Sequence, residues 1–280
     1  MRPILFEIPI PFANIAIPIS SYGMMLALSF LVGVSLAARD AERQGIDPND
    51  YFTAAIYGMI FAILGARIFY IIQNWSDYAS RPLQVFALWR GGLVFYGGFF
   101  GGTIGVGLYV YFKGIHVWKF LDATTPSIAL GLFFTRIGCF LNGCCYGKPT
   151  DLPWGVRFQK GSNVYYDEIE KGLITGSNAS SLSLHPVQLY ESLEGLVLFL
   201  IFFFFLGKRK KFDGQTFWTF PLIYSVLRFA NELLRGDDIR GYIWSPYITT
   251  SQFFSLLLFP LSIGVLIYMK RRKPIASEEQ

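Results

Sequence analysis

The sequence has little charge, little histidine and few cysteines for a chain of its length. Of its 280 residues, 15% are charged and 53% are hydrophobic, a balance typical of membrane proteins. Three cysteines cannot build a disulfide framework, and the spacing C-x4-C-C has no histidine or second cysteine pair nearby, which argues against a zinc site. Basic residues cluster at the ends of apolar segments, so the net charge of +5 does not indicate nucleic-acid binding.

Common signatures of intramembrane enzymes and transporters are also missing. The chain has no H-E-x-x-H, no G-x-S-x-G and no intramembrane aspartate pair, which argues against a protease. It has no internal repeat, so an inverted-repeat transporter has little support. No cleavable signal peptide is apparent, and we expect residues 1–21 to be extended at one membrane face.

Long apolar stretches dominate what is present. A spanning helix needs ~20 mostly apolar residues, and seven stretches meet this requirement. They are 19–38, 51–73, 92–112, 121–141, 187–206, 214–234 and 249–269. The sequence therefore predicts an all-α integral membrane protein with about seven transmembrane helices, forming one domain over residues 1–280.

Charged loops predict the orientation of these helices. Dense basic runs at 208–211 and 270–273 fall on the same side, and such runs mark the cytoplasmic face. The amino terminus is then outside and the carboxyl terminus cytoplasmic. The polar segment 148–185 becomes a small external head within the same domain.

Arginines inside apolar stretches are the main functional signal. Arg67, Arg136 and Arg228 each interrupt one, and an unpaired guanidinium at the bilayer centre costs ~3 kcal/mol on insertion scales. Snorkelling explains a single arginine but not several that converge. Guanidinium binds phosphate through two parallel hydrogen bonds, so the arginines favour recognition of a phosphate. For Arg67 we expect a structural pairing with an acidic residue of a neighbouring helix.

A polar stripe lies along one face of the sixth stretch. Its members are Tyr224, Arg228, Asn231, Glu232 and Arg235. Arg228 and Glu232 could form an internal ion pair only, but Arg235 and Arg136 add further positive charge. Arg228 and Arg235 are seven positions apart, or ~10 Å along a helix, which puts the charge near the depth of phospholipid headgroups.

Polar residues also flank the fourth and fifth stretches. Asn142, followed by Gly143, offers an amide donor and acceptor six residues after Arg136. Proline at the first helical position makes His185 a residue of the N-cap region and puts Gln188 and Glu191 on one side of the first turns. His185 is then either a capping and interfacial residue or a catalyst.

The third stretch is rich in glycine, and its glycines form small-xxx-small pairs. They include Gly97 with Gly101 and Gly98 with Gly102. These pairs indicate close helix packing, or space for a lipid beside Tyr96, and the two interpretations are compatible.

Several blocks of the sequence, in this order, resemble the bacterial prolipoprotein diacylglyceryl transferases over nearly the whole chain. The blocks are residues 21–23, 65–67, 89–98, 135–147, 153–155, 185–191 and 224–235. The resemblance implies a helical membrane body with a small periplasmic head, in the bacterial inner membrane. It also implies transfer of the diacylglyceryl group of phosphatidylglycerol to the lipobox cysteine of a preprolipoprotein. A thioether forms and glycerol phosphate leaves, with no cofactor and no metal.

The resemblance assigns the family's essential arginines to Arg136 and Arg228, its first-span tyrosine to Tyr22 and its signature asparagine to Asn142. The predicted catalytic set is Arg136 and Arg228 with Tyr96. The predicted substrate-binding residues are Tyr22, Arg67, Gly97, Gly98, Asn142, Gly143, His185, Gln188, Tyr224, Glu232 and Arg235.

Some relatives differ from this chain in having histidine at Tyr96, asparagine at Cys139 and glutamate at Cys144. A phenol of pKa ~10 is a poor resting base for a thiol of pKa ~8.5. Either a nearby arginine lowers the pKa of Tyr96 or this residue positions lipid. The other candidate bases are Glu232, Glu191 and His185. The three cysteines are expected to be buried small apolar residues.

Two other functions stay open on the residues alone. A non-catalytic lipid-binding or flipping protein would use the same arginines without chemical change. A different headgroup transferase would use phosphatidylglycerol but ignore the lipobox thiol.

Overall fold

The computed structural model is predominantly helical and describes residues 3–10, 15–79, 84–85, 92–237, 241–245 and 247–272. Its elements, in chain order, are β1 (Ile4–Ile10), β2 (Ile15–Ser20), α1 (Ser21–Arg43), α2 (Pro48–Gln73), α3 (Trp75–Ala79), α4 (Phe95–Phe112), α5 (Val117–Asn142), α6 (Asn163–Glu170), α7 (Val187–Ile201), α8 (Gln215–Leu234), β3 (Tyr242–Trp244), β4 (Ile248–Thr249) and α9 (Thr250–Arg272). Helix α7 continues as a π-helical turn over Phe202–Leu206.

Each of the seven predicted apolar stretches contains one long helix in the described part of the chain, although residues 19–20 lie in β2 and residues 92–94 precede α4. Five helices are long and apolar enough to cross a membrane: α1, α2, α5, α7 with its π-helical turn, and α9. The other two, α4 and α8, have 18 and 20 residues.

Two small antiparallel hairpins were not predicted and correct the all-α expectation. Strand β1 pairs with β2, with Ile8 opposite Ile17, and β3 pairs with β4. The first hairpin is consistent with an extended amino-terminal segment, although its strand pairing was missed. Its alternating isoleucines and prolines resemble an irregular coil, because proline is rare in paired strands.

The chain divides into two compact units, Val34–Ala123 and the remainder. In the smaller unit, α2 and α4 pack backbone against backbone through glycines. A β-carbon at Gly65 would collide with the carbonyl oxygen of Gly97, and one at Gly101 would collide with that of Phe61. The buried core of this unit is formed by Ala37, Ala38, Ala41, Ile46, Tyr51, Ala54, Val110, Phe120 and Ala123.

In the larger unit, α5, α7 and α8 share a core of Ala129, Leu198, Phe202 and Phe220. Helix α9 packs along α8. The Ser127 hydroxyl of α5 donates to the carbonyl oxygen of Gly33 in α1 at 2.7 Å. These contacts bring α5, α7, α8 and α9 together in one bundle.

The segment between α5 and α7 has its own small core of Tyr146, Phe158, Val164 and Leu184. Its helix α6 is capped by Ser162, whose hydroxyl accepts from the amide of Tyr165 at 3.2 Å. Its first residues join the end of α8, where the Lys148 amide donates to the Leu234 carbonyl at 2.8 Å. The single domain over 1–280 and the periplasmic head over 148–185 stay predictions.

Candidate functional site

Three arginines contact a single carboxylate: one lies on α5, one on α8 and one at the end of α8. Arg136 of α5 lies 2.5 Å from Glu191 of α7, measured from Nε to Oε2. The Nη1 atoms of Arg228 and Arg235 lie 3.1 Å and 3.4 Å from Glu191 Oε1. The predicted convergence of Arg136 and Arg228 is therefore present in this arrangement, with Glu191 at its centre.

Further acidic residues flank this arginine cluster. Arg228 Nη2 lies 2.7 Å from Glu232 Oε2 and donates to Ser251 Oγ of α9 at 2.9 Å. Arg235 forms a bidentate ion pair with Asp237, in which Nε and Nη2 each donate to a carboxylate oxygen at 3.0 Å. Three arginines thus face three carboxylates, so the excess of positive charge expected from the sequence is offset locally.

Arg136 uses its guanidinium differently from the other two arginines. It contacts Glu191 through Nε, and its two Nη groups have no partner in the part of the chain that the structure describes. A guanidinium has five N–H donors, so four of them are available for a ligand. The side chain is 16% exposed, which gives a ligand a way to reach it.

Two further polar residues support the cluster. Asn231 of α8 donates to Glu194 Oε2 of α7 at 2.6 Å, one helical turn from Glu191. The Tyr224 ring stacks on Phe220 with centroids 5.6 Å apart, at the side of the core below Arg228. Glu194, Asp237 and Ser251 were not singled out in the sequence, because nothing in their local pattern pairs them with a distant arginine.

The turn after α5 lies against the beginning of α7. Gly143 adopts a φ of 69°, a left-handed conformation that favours glycine. Gln188 is fully buried and donates from Nε2 to the Cys144 carbonyl at 2.8 Å. The Asn142 amide donates to Cys144 Sγ at 3.7 Å. Asn142, Gly143 and Gln188 therefore shape one turn, where sequence analysis predicted substrate contacts.

His185 takes part in an aromatic arrangement beside this turn. Its Nδ1 lies 3.4 Å from the Tyr190 hydroxyl, which accepts from Trp154 Nε1 at 2.8 Å. The His185 carbonyl accepts from the Gly147 amide at 3.1 Å. The N-cap of α7 is Pro186 rather than His185, and no side chain among the described residues caps this helix. The role of His185 in substrate binding stays a prediction.

Tyr22 lies on α1 within the same unit. Its ring contacts the position where a side chain on Gly138 would be, and it is within electrostatic range of Arg136 and the three cysteines. The side chain is 37% exposed. Tyr22 therefore lies near Arg136, and its role in substrate binding stays a prediction.

The remaining predicted site residues belong to the smaller unit. Arg67 is buried and donates to the carbonyl oxygens of Gln84 at 2.8 Å, Val85 at 2.9 Å and Gly92 at 3.3 Å. Its guanidinium also lies over the rings of Tyr70 and Tyr78. These carbonyls were not anticipated, since we expected an acidic partner. Arg67 therefore ties the described residues 84, 85 and 92 to α2.

Glycines of α4 are explained in part by packing. The backbone of Gly65 and the side chain of Phe69 fill the space beside Gly97, and Gly98 has ordinary van der Waals room against α2. Tyr96 is 63% exposed, and its ring contacts that of Phe95. The lipid-binding roles of Gly97, Gly98 and Tyr96 stay predictions.

A polar cavity of about 160 Å³ opens beside the arginine cluster. Its lining includes Lys148, Glu232, Arg235, Asp237 and Gln252. The cavity joins the end of α8 to the beginning of α9. Its lining carries two cationic and two carboxylate side chains, so a small polar group fits its size and lining.

Comparison with known proteins gives a consistent result. A family model described as prolipoprotein diacylglyceryl transferase matches residues 7–268. A Clostridium tetani protein named phosphatidylglycerol–prolipoprotein diacylglyceryl transferase is 37% identical over 268 residues, covering 96% of this chain and 97% of its own. A Geobacter sulfurreducens protein of the same name is 36% identical and covers 90% and 91%. One from Synechococcus elongatus is 35% identical and covers 78% and 73%.

Proposed function

Because this chain belongs to the prolipoprotein diacylglyceryl transferase family, we propose that it transfers the diacylglyceryl group of phosphatidylglycerol to the lipobox cysteine of preprolipoproteins. Its apolar helices and its family make it a multi-pass membrane protein. The observation that carries the proposal is the meeting of Arg136, Arg228 and Arg235 at Glu191.

The reaction is an alkyl transfer. The substrate thiolate attacks the glycerol carbon that bears the phosphate, and a carbon–sulfur bond forms as the carbon–oxygen bond breaks. Glycerol phosphate takes the bonding electron pair and leaves, while the thiol proton passes to a base. Tyr96, Glu232, Glu191 and His185 remain the candidates for this base.

Arg136 and Arg228 bind the phosphodiester and stabilise the negative charge that grows on the leaving group. We expect the phosphate to contact the Nη groups of Arg136 first, since these groups have no partner among the described residues. Glu191 acts as a positioning residue that holds the guanidinium groups together before lipid binds. A phosphate that enters competes with its carboxylate for the same donors.

The orientation follows from the charge pattern. We propose that all seven long helices span the bacterial inner membrane, with a periplasmic amino terminus and a cytoplasmic carboxyl terminus. The segment 148–185 is then a periplasmic head, on the side where signal peptides emerge. Phosphatidylglycerol, the bilayer and the preprolipoprotein signal peptide are the partners of this arrangement.

Purified protein in phosphatidylglycerol vesicles with a lipobox peptide tests the function. We expect the peptide to gain the mass of one diacylglyceryl unit and an equal amount of glycerol phosphate to appear. Arg136→Gln and Arg228→Gln should each reduce turnover by about 100-fold or more, as expected for losing a group that stabilises developing charge. Arg43→Gln is the matched control, because the Arg43 side chain is 55% exposed and lies outside the cluster.

Folded arginine variants with normal turnover would remove the proposed mechanism. Lipid movement between leaflets without any change in peptide mass would favour the lipid-binding or flipping alternative. Release of glycerol phosphate without peptide modification would instead indicate a different headgroup transferase.

A further inference from the structure

The turn after α5 brings all three cysteines together. Cys139 lies in the last turns of α5 and is buried, while Cys144 and Cys145 follow the helix and are half-buried. Their sulfur atoms all lie within 4.8 Å of one another. We call Cys139, Cys144 and Cys145 the thiol cluster. Cysteines acting only as small apolar residues would not require this convergence.

The backbone holds the thiol cluster in an unfavourable conformation. Cys145 has a φ of 59°, and a non-glycine residue in the left-handed region costs about 1–3 kcal/mol. The Cys144 amide donates to the Cys139 carbonyl at 3.1 Å, which closes the turn. Gln188 fixes the turn from α7 through the Cys144 carbonyl at 2.8 Å. The geometry is therefore set before any ligand arrives.

Polar and charged neighbours surround the cluster. Arg136 and Arg235 lie within electrostatic range of Cys145. The Asn142 amide donates to Cys144 Sγ at 3.7 Å. Thiolates rather than thiols coordinate metals, and nearby cations stabilise a thiolate.

We propose that the thiol cluster binds one thiophilic d10 cation, of the class that includes Zn²⁺, Cd²⁺ and Cu⁺. A trigonal site with metal–sulfur bonds of about 2.3 Å needs sulfur atoms about 4 Å apart. The observed sulfur atoms lie within 4.8 Å of one another, which exceeds that value by less than about 1 Å. Each S–H that becomes a metal–sulfur bond releases one proton, so full coordination releases three.

Soft ligands and the surroundings fit this class of cation. Three sulfur ligands without histidine or carboxylate select soft metals over Mg²⁺ or Ca²⁺. Three protein ligands also leave an open coordination position. Gln188 Oε1 is buried without a hydrogen-bond partner among the described residues, beside the turn that carries Cys144. The inference does not depend on the transferase activity and reverses the expectation drawn from the C-x4-C-C spacing.

Cd²⁺ titration of the full-length protein tests the proposal. The detergent-purified protein is reduced with a phosphine, which has no thiol, and thiolate-to-metal absorption in the near ultraviolet is followed. We expect one Cd²⁺ per chain, with protection of all three cysteines from a thiol reagent. Cys144→Ser should weaken Cd²⁺ binding by about 100-fold or more, beyond the loss typical of an outer-shell partner.

Controls separate the cluster from other soft ligands. The triple Cys→Ser variant should lose the absorption, whereas His116→Gln should retain it because His116 lies in the smaller unit. Equal Cd²⁺ binding by the triple variant would overturn the proposal. So would a reduced wild-type protein that shows no absorption when Cd²⁺ is added.

Discussion

At the scale of single residues, Glu191 is the common ion-pair partner of three arginines. Its loss should therefore destabilise the cluster more than the loss of any one arginine. Its side chain is 6% exposed and faces guanidinium groups from Arg136, Arg228 and Arg235. Removing one partner of a buried ion pair leaves uncompensated charge, which costs far more than losing an exposed pair. Sequence analysis named Glu191 only as a candidate base, because a glutamate near the start of an apolar stretch has an ordinary interfacial explanation.

Glu191→Gln should therefore destabilise the protein strongly. The substitution keeps the shape but removes the charge that neutralises the cluster, and we expect a loss of about 3–5 kcal/mol in the free energy of unfolding. Thermal and denaturant unfolding in detergent measure this loss. Arg43→Gln, at a largely exposed pair, should change stability by less than about 1 kcal/mol. Equal stability of Glu191→Gln and wild type would contradict the central role of this carboxylate.

Glu168 gives a prediction that depends on pH. It is fully buried in the segment between α5 and α7, and burial raises the pKa of its carboxyl group above the ordinary value, although the Leu182 amide donating at 3.0 Å opposes the rise. The folded state thus keeps a proton that the unfolded chain releases. Retention of this proton stabilises the folded state fully at pH values below the ordinary pKa of the carboxyl group. The stabilisation is lost as the pH rises through the raised pKa of the folded state.

Glu168→Gln should abolish this part of the pH dependence. The ordinary pKa of a glutamate carboxyl group is 4.5. Above this pH, the melting temperature of the wild type should fall relative to that of the variant. Glu170→Gln on the same helix is the control and should follow the wild-type profile, since Glu170 is exposed. Parallel curves for wild type and Glu168→Gln would show that the folded protein does not retain the proton.

At the scale of elements, the pairing of α2 with α4 depends on absent side chains. Gly101→Ala would drive a β-carbon into the Phe61 carbonyl and to 3.1 Å from Gly65 Cα. We expect this overpacking to cost about 1–3 kcal/mol. Gly107→Ala on the same helix meets nothing within 4 Å and should be neutral or slightly stabilising. Unfolding of the two variants side by side checks this, and similar stability would exclude close packing as the reason for Gly101.

The secondary-structure elements also show which features of the fold the local sequence pattern predicts. Apolar length located the long helices to within a few residues, as in 187–206 for α7 and its π-helical turn. The β1/β2 hairpin was missed because prolines at positions 9 and 18 concealed a paired strand. The short helix α6 was missed because its 8 residues carry no long apolar period. Strand pairing and short helices depend on contacts outside the segment itself.

For the whole molecule, the testable property is its orientation in the membrane. A protease site inserted after Gly176, where a side chain would meet nothing within 4 Å, should be cut from outside in spheroplasts. A site inserted after Arg209 should be cut only in inverted vesicles, because basic loops stay cytoplasmic. Immunoblotting of a carboxyl-terminal tag follows both cuts. The reverse pattern would invert the proposed topology and remove the head from the periplasm.

The sequence by itself determined the helical membrane body, since the apolar length of a helix and the cost of a buried arginine are local properties. It also identified Arg136 and Arg228, because charge is conspicuous within apolar stretches. Only the tertiary structure decided that both meet at Glu191, and that Cys139 meets Cys144 and Cys145 across a left-handed turn. Such partnerships arise from helix packing between residues far apart in the chain, or from backbone conformations that neighbours enforce. No local pattern specifies them.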